Sequence, residues 1–203
     1  MRPYSRPIDF FVYSRAAPSA ANVEHDRALD EEHWSYMDRF ADGMTARGPT
    51  LAADRDTWTG SVHIVELPSA EAAREFAERE PYNQAGLFEH HIIRRFTNLL
   101  GRTMWEFPGD AVEPRFLVIA HLLADVAQRP PAALLPDFTA LPRERLIVHG
   151  ELLSPDGARP AGVVWALQAP TREAVEALLG SGQAGLDKHF DVQILDWEFG
   201  GRR

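Results

Sequence analysis

The sequence predicts an α+β fold: two tandem ferredoxin-like β-α-β-β-α-β units joined into a pseudo-two-fold barrel. Three observations carry this. Apolar runs with β-branched and aromatic content alternate with amphipathic stretches in one order, given twice. Gly48 and Gly150, Gly60 and Gly162, and Pro68 and Pro170 each share a single register between the halves. A lone unit would also leave the helix-free face of its sheet bare to water, so two units bury that face together. The units are expected at residues 1–110 and 111–203, with 8–107 and 114–199 superposing.

Taken in order, "IDFFVYS" (Ile8–Ser14) is a compact apolar run and reads as a buried strand. From about Val23 to Arg47 the residues Leu29, His33, Met37, Phe40 and Met44 recur at helical spacing, and Gly48-Pro49 stops that helix. A short strand "PTLAA" follows, then the turn-rich "DRDTWTG" and the strand "SVHIVEL". Ser69 is placed to cap a helix running to about Glu78, with Glu71 near its positive end. After the segment Glu80–Gly86, Leu87–Phe96 is a strand, and "LLGRTMWEF" extends it or forms another. "PGDAVEP" is the linker.

The second half repeats the plan. "PRFLVIAHLL" is a strand and Pro131–Leu141 a shorter helix. "RLIVHGELL" and "AGVVWALQ" flank a Ser-Pro-Asp-Gly hairpin turn, Pro170-Thr171 opens a helix, and "FDVQILDWEF" closes the chain.

Composition narrows the function classes. With 203 residues, 45% hydrophobic and 25% charged, the chain is long enough for a real core. A net charge of −9 without a basic stripe argues against nucleic acid as a partner. There is no cysteine, which removes disulfides, thiolate metal sites and thiol nucleophiles together. No run has the length of a signal sequence or of a membrane span, so no membrane association and a cytoplasmic location are expected. His90-His91 resembles a metal pair, but adjacent strand residues point to opposite faces. No metal and no cofactor are expected.

The segment from Glu80 to Gly86 is unusual. It sets a carboxylate, a proline and a tyrosine between a helix and a strand, where a bare connection needs fewer residues. His33 lies on the apolar stripe of its helix. It is either a core histidine satisfied by a neighbour or a proton carrier, imidazole being the side chain that titrates nearest neutrality. Glu80 is either a solvated helix-terminal residue or the carboxylate that fixes the imidazole tautomer. Ser61 and His63 share one face of their strand; His63 lines a pocket or the barrel interior, and Ser61 could donate to a substrate oxygen. Tyr36 and Tyr82 could stack on a planar substrate, Tyr36 having core packing as its other role.

These residues fall in short motifs. "EEHWSYMDRF", "ARGPTL", "GSVHIVEL" and "EPYNQAGLF" together resemble, in order and spacing over residues 8–96, the YciI-like (YCII-related) family of dimeric α+β barrel proteins. The resemblance implies an active site built from a histidine on the first helix, here His33, and an aspartate before the proline of a D-P-[FY] segment, here replaced by Glu80. It also implies reactions of the lyase or dehydrochlorinase type in aromatic breakdown for some members. The second half shares only the element order and glycines. It has Trp165 opposite His63 and Leu179 opposite Glu80, so one site per chain is expected, its polar groups from the N-terminal half and its closing wall from the C-terminal half.

Three functions follow as expectations. The first is an acid–base enzyme, a lyase, dehydrochlorinase or isomerase using His33 and Glu80 on an aromatic or ring-derived metabolite. The second, by fold analogy, is a cofactor-free or flavin-assisted oxygenase of a polycyclic phenol. The third is a non-catalytic ligand-binding accessory protein. The expected partner is a small, aromatic molecule, and a homodimer is left open.

Overall fold

The computed structural model describes residues 7–20, 26–127, 142–181 and 189–201. Eight strands close into a barrel: β1 (Ile8–Ala16), β2 (Met44–Leu51), β3 (Trp58–Leu67), β4 (Phe88–Asn98), β5 (Arg115–Leu122), β6 (Leu146–Leu153), β7 (Pro160–Gln168) and β8 (Phe190–Trp197). Around the barrel the order is β1-β3-β2-β8-β5-β7-β6-β4. The order β4-β1-β3-β2 of the first half therefore recurs as β8-β5-β7-β6. Two seams join the halves: Thr50 and Leu51 of β2 pair with Trp197 and Asp196 of β8, and Arg95–Asn98 of β4 pair with β6.

Five helices are described: α1 (Arg27–Asp38), α2 (Ala70–Glu78), α3 (Pro81–Gln84), α4 (Ala124–Ala127) and α5 (Arg172–Ser181). The expected helix at Pro131–Leu141 lies outside the described residues. Strand alternation divides the apolar residues between two layers. Phe11, Ile64, Phe96, Ile119, Leu152, Val164 and Trp197 meet inside the barrel, while Phe10, Val12 and Val65 turn outward to Tyr36, Met37 and Phe76 of α1 and α2.

The shared glycines have a physical reason. At Gly60 and Gly162 the backbone has φ of 151° and 147°, and an added Cβ would lie 2.3 Å from the Ser14 carbonyl oxygen and 2.1 Å from that of Ala120. Gly48 and Gly150 face the seams. A Cβ on Gly48 would come 1.8 Å from the Glu198 oxygen, and one on Gly150 would come 2.4 Å from the Thr97 oxygen. An ion cluster on the buried Asp196 also ties the halves: Asp196 binds Arg172 at 2.5 Å and Arg55 at 3.3 Å.

Three expectations are corrected. α1 stops at Asp38, and Met44–Arg47, expected as the end of that helix, belongs to β2. Met44 packs against the helices while Ala46 faces the barrel interior, because the ladder to β3 shifts register between them; Met44 kept the helical spacing only because both elements bury the same layer. Pro49 is tolerated in this strand because the ladder to β8 begins only at Thr50. "LLGRTMWEF" is not a strand: it turns at Gly101 and forms a 3-10 turn at Met104–Glu106, closed by a capping box from Thr103 and Glu106. The segment after α2 is not an irregular connection but contains α3.

Candidate active site

α3 explains why Glu80, Pro81 and Tyr82 stand together. Glu80 is its N-cap, its Oε2 accepting the Asn83 N–H at 3.0 Å, and Pro81 occupies the first helical position, where a missing N–H costs nothing. Capping with one oxygen leaves the other to point at α1. There, His33 Nδ1–H donates to Glu80 Oε1 at 2.5 Å, and the Glu80 residue is only 2% exposed. The solvated role for Glu80 is thereby excluded. The Asn83 side chain holds the turn in place. Its Nδ2 donates to the Glu78 carbonyl, which leaves Oδ1 to accept from His91 Nε2–H; His91 Nδ1 then accepts from the Ser14 hydroxyl. Burial holds His91 below its ordinary pKa, consistent with that neutral tautomer.

The ring of Tyr82 lies flat on His33, with centroids 4.2 Å apart and planes 9° from parallel. Its hydroxyl donates to Asp30 Oδ1 at 2.6 Å. Burial, this hydrogen bond and the nearby carboxylates push the Tyr82 phenol above its usual range, so it stays protonated. Asp30, His33 and Trp34 stand three and four residues apart, so α1 presents them on one face.

That face borders a cavity of about 310 Å³ on the helix side of the first sheet, outside the barrel interior. Ser61 and His63 reach it from β3, as their shared strand face requires, and Trp58, Arg47 and Tyr82 complete that wall. His63 is buried, 6.1 Å from His33 and edge-on to Phe76. Desolvation, then the charges of His33 and Arg47, hold it well below the ordinary histidine pKa, so it is neutral. The contribution of the second half is its tail: Phe199, Gly200 and Gly201 close the opposite side. Gly200 N–H donates to the Arg47 carbonyl and Arg47 Nε–H donates back to the Gly200 carbonyl.

Of the residues singled out by sequence, His33, Glu80, Ser61, His63 and Tyr82 converge here. Tyr36 does not line this cavity; its hydroxyl donates to the Phe76 carbonyl at 2.9 Å and its ring packs on Phe40 and Phe76. This corrects its expected substrate contact in favour of its core role. Sequence reasoning missed Asp30, Trp34, Arg47 and the tail. Asp30 carried a signal, an acid one turn before His33. Arg47 carried none, because it had been placed on a helix. His90 and His91 do diverge, and no cluster of three or more His, Asp or Glu side chains suited to a metal occurs among the described residues.

Comparison with known proteins finds a recognised domain in the half of the chain that carries His33 and Glu80. Residues 9–97 match the YCII-related domain. The protein YciI of Escherichia coli O6:H1 is 30% identical over 88 residues, 40% of this chain and 90% of that protein. Among solved structures, a 5-chloro-2-hydroxyhydroquinone dehydrochlorinase from Burkholderia phenoliruptrix, in complex with 2,5-dihydroxybenzoquinone, is 28% identical with a TM-score of 0.40, covering 45% of this chain and 95% of that one. A mutant chlorite dismutase from Candidatus Nitrospira defluvii is 10% identical but covers 94% of this chain and 91% of its own with a TM-score of 0.51, a likeness of fold across both halves.

Proposed function

The chain belongs to the YciI-like, YCII-related family, and from that premise we propose that it is a small-molecule enzyme moving a proton through His33 on a planar, ring-derived substrate. The observation that carries this reading is the His33–Glu80 contact at 2.5 Å beside a cavity of about 310 Å³. A carboxylate bound to Nδ1–H fixes the tautomer in which Nε2 holds the lone pair, and it stabilises the imidazolium that forms once Nε2 has taken a proton. Glu80 is itself held by the Asn83 N–H, so the pair needs no reorganisation when charge develops.

The remaining groups assign themselves by chemistry. Tyr82 stacks on His33 and fixes the ring plane. Trp34 and Trp58 offer apolar faces to a flat substrate, and Ser61 and neutral His63 offer hydrogen bonds to its oxygens. The Arg47 guanidinium supplies positive potential where an enolate or phenolate oxygen would form. Abstraction next to a ring carbonyl followed by loss of a leaving group gives a lyase or dehydrochlorinase; return of the proton elsewhere gives an isomerase.

The test is a panel of hydroxylated and chlorinated ring ketones and quinols incubated in D2O, with NMR following deuterium uptake and elimination. Exchange or turnover by the wild type that is lost in His33→Ala, with folding intact, is the expected result. Unchanged turnover in His33→Ala would exclude proton transfer at this residue.

A further inference from the structure

One end of the barrel breaks its own apolar pattern. The inward positions of β4 run Ile92, Arg94, Phe96, and those of β5 run Leu117, Ile119, His121. Ile92, Phe96, Leu117 and Ile119 all belong to the barrel core, and Arg94 is paired across β1 with Phe11, another core residue. Arg94 and His121 therefore bring polar nitrogens to this end of the wall, where Asp191 and Gln193 of β8 stand opposite His121 and Ile119. The Arg94 Nε and His121 Nε2 atoms are buried and have no hydrogen-bond partner among the described residues. One Arg94 Nη donates to the Ile93 carbonyl, which orients the guanidinium without neutralising it. A buried donor left in this state, as Arg94 Nε is, is costly unless something else accepts from it.

Arg94 lines a cavity of about 480 Å³ that Arg159 enters from the β6–β7 hairpin. The hairpin is held in place: Arg95 Nε–H donates to the Pro155 carbonyl at 2.9 Å, and the Arg159 N–H donates to the Ser154 hydroxyl at 3.0 Å. The rest of the wall is Ser154 and the apolar residues Leu122, Ala124, Pro155, Pro160 and Ala161. Asp156 is engaged by the Ser154 hydroxyl and the Ala158 N–H, and Asp191 stands opposite His121 on β8. Burial and the Arg94 charge both hold His121 below its ordinary pKa, with Asp191 opposing, so the two groups share one positive environment.

We propose that this barrel mouth is a second binding site, distinct from the His33 cavity, for a small organic carboxylate whose oxygens meet Arg94 and Arg159 and whose apolar body lies against Leu122, Pro155 and Pro160. Asp156 is bound within its own hairpin and Asp191 stands beside His121, while Arg94 has no ion pair among the described residues, so one negative charge suits it, and the apolar residues of the wall suit a hydrocarbon body. The site lies on the barrel side of the sheet, whereas Ser61 and His63 face the helix side, so the two can be occupied together.

The experiment is an NMR titration of the 15N-labelled full chain with hexanoate, hexanamide and inorganic phosphate. Hexanoate is expected to shift the signals of Arg94, His121, Arg159 and Ala161, and hexanamide to bind about tenfold or more weakly, since a hydrogen bond to a charged group is lost. Arg94→Gln should weaken hexanoate by a similar factor, and Arg159→Gln, at an exposed residue whose loss leaves the core intact, should weaken it as well. Equal binding of hexanoate and hexanamide, no effect of Arg159→Gln, or shifts centred on His33 and Tyr82 would overturn the proposal. Phosphate binding as tightly as hexanoate would overturn the assignment of a carboxylate with an apolar body.

Discussion

Replacing Glu80 by glutamine changes one charge and no volume, yet it should reverse the protonation of His33. The Asn83 N–H is a fixed donor 3.0 Å from one Glu80 oxygen, so the glutamine carbonyl must remain there. The amide nitrogen is then aimed at His33 Nδ1, and a donor facing Nδ1 selects the tautomer with the proton on Nε2. That nitrogen can no longer accept a proton from a substrate. Two charge-assisted bonds become neutral, a loss of about 1 kcal/mol each that is partly offset because no buried charge remains, so the net cost is about 1–2 kcal/mol. In a chain of this size that lowers Tm by roughly 2–8 °C. The assay is long-range 1H–15N NMR of the imidazole: the neutral His33 ring should carry its proton on Nδ1 in the wild type and on Nε2 in Glu80→Gln. Turnover should fall by about 10²-fold, short of the loss in His33→Ala, because the ring can still exchange protons with water. An unchanged tautomer together with an unchanged Tm would refute the reasoning.

Two further outcomes are expected. Burial holds His63 well below the ordinary histidine value of about 6.5 in the folded chain, so as pH falls through that value the unfolded chain takes up a proton that the folded chain refuses. The contribution of His63 to stability is therefore complete above about pH 6.5 and declines below it; denaturant titrations from pH 7 to 4.5 should show a shallower decline in His63→Gln, with His91, His121 and His149, also depressed by burial, contributing in the same direction. Gly48→Ala would put a Cβ 1.8 Å from the Glu198 oxygen. It should cost more than about 2 kcal/mol and detach the tail from the cavity, read as a lower Tm and faster proteolysis after Trp197; an unchanged Tm would mean that the tail is not packed as described.

The strands other than β2 were legible because each is a short apolar run bounded by turn residues, and the caps were legible because Ser69 and Thr171 act within a few residues of themselves. Within the site, His33 and Tyr82 were readable for the same reason. The end of α1 was not, since Met44 buries the same layer as the apolar stripe of α1, its place in β2 depends on a register shift, and only pairing with β3 decides between helix and strand. The inclusion of Arg47, and the closing of the cavity by Phe199–Gly201, depend on contacts between residues more than a hundred positions apart, which no local pattern encodes. The amino-acid order by itself determined which groups are available: a histidine on an apolar stripe, a carboxylate before a proline, no thiol. Tertiary structure decided which of them meet, because a hydrogen bond needs approach within about 3 Å and only the packing of α3 against α1 brings Glu80 to His33 while leaving Tyr36 in the core.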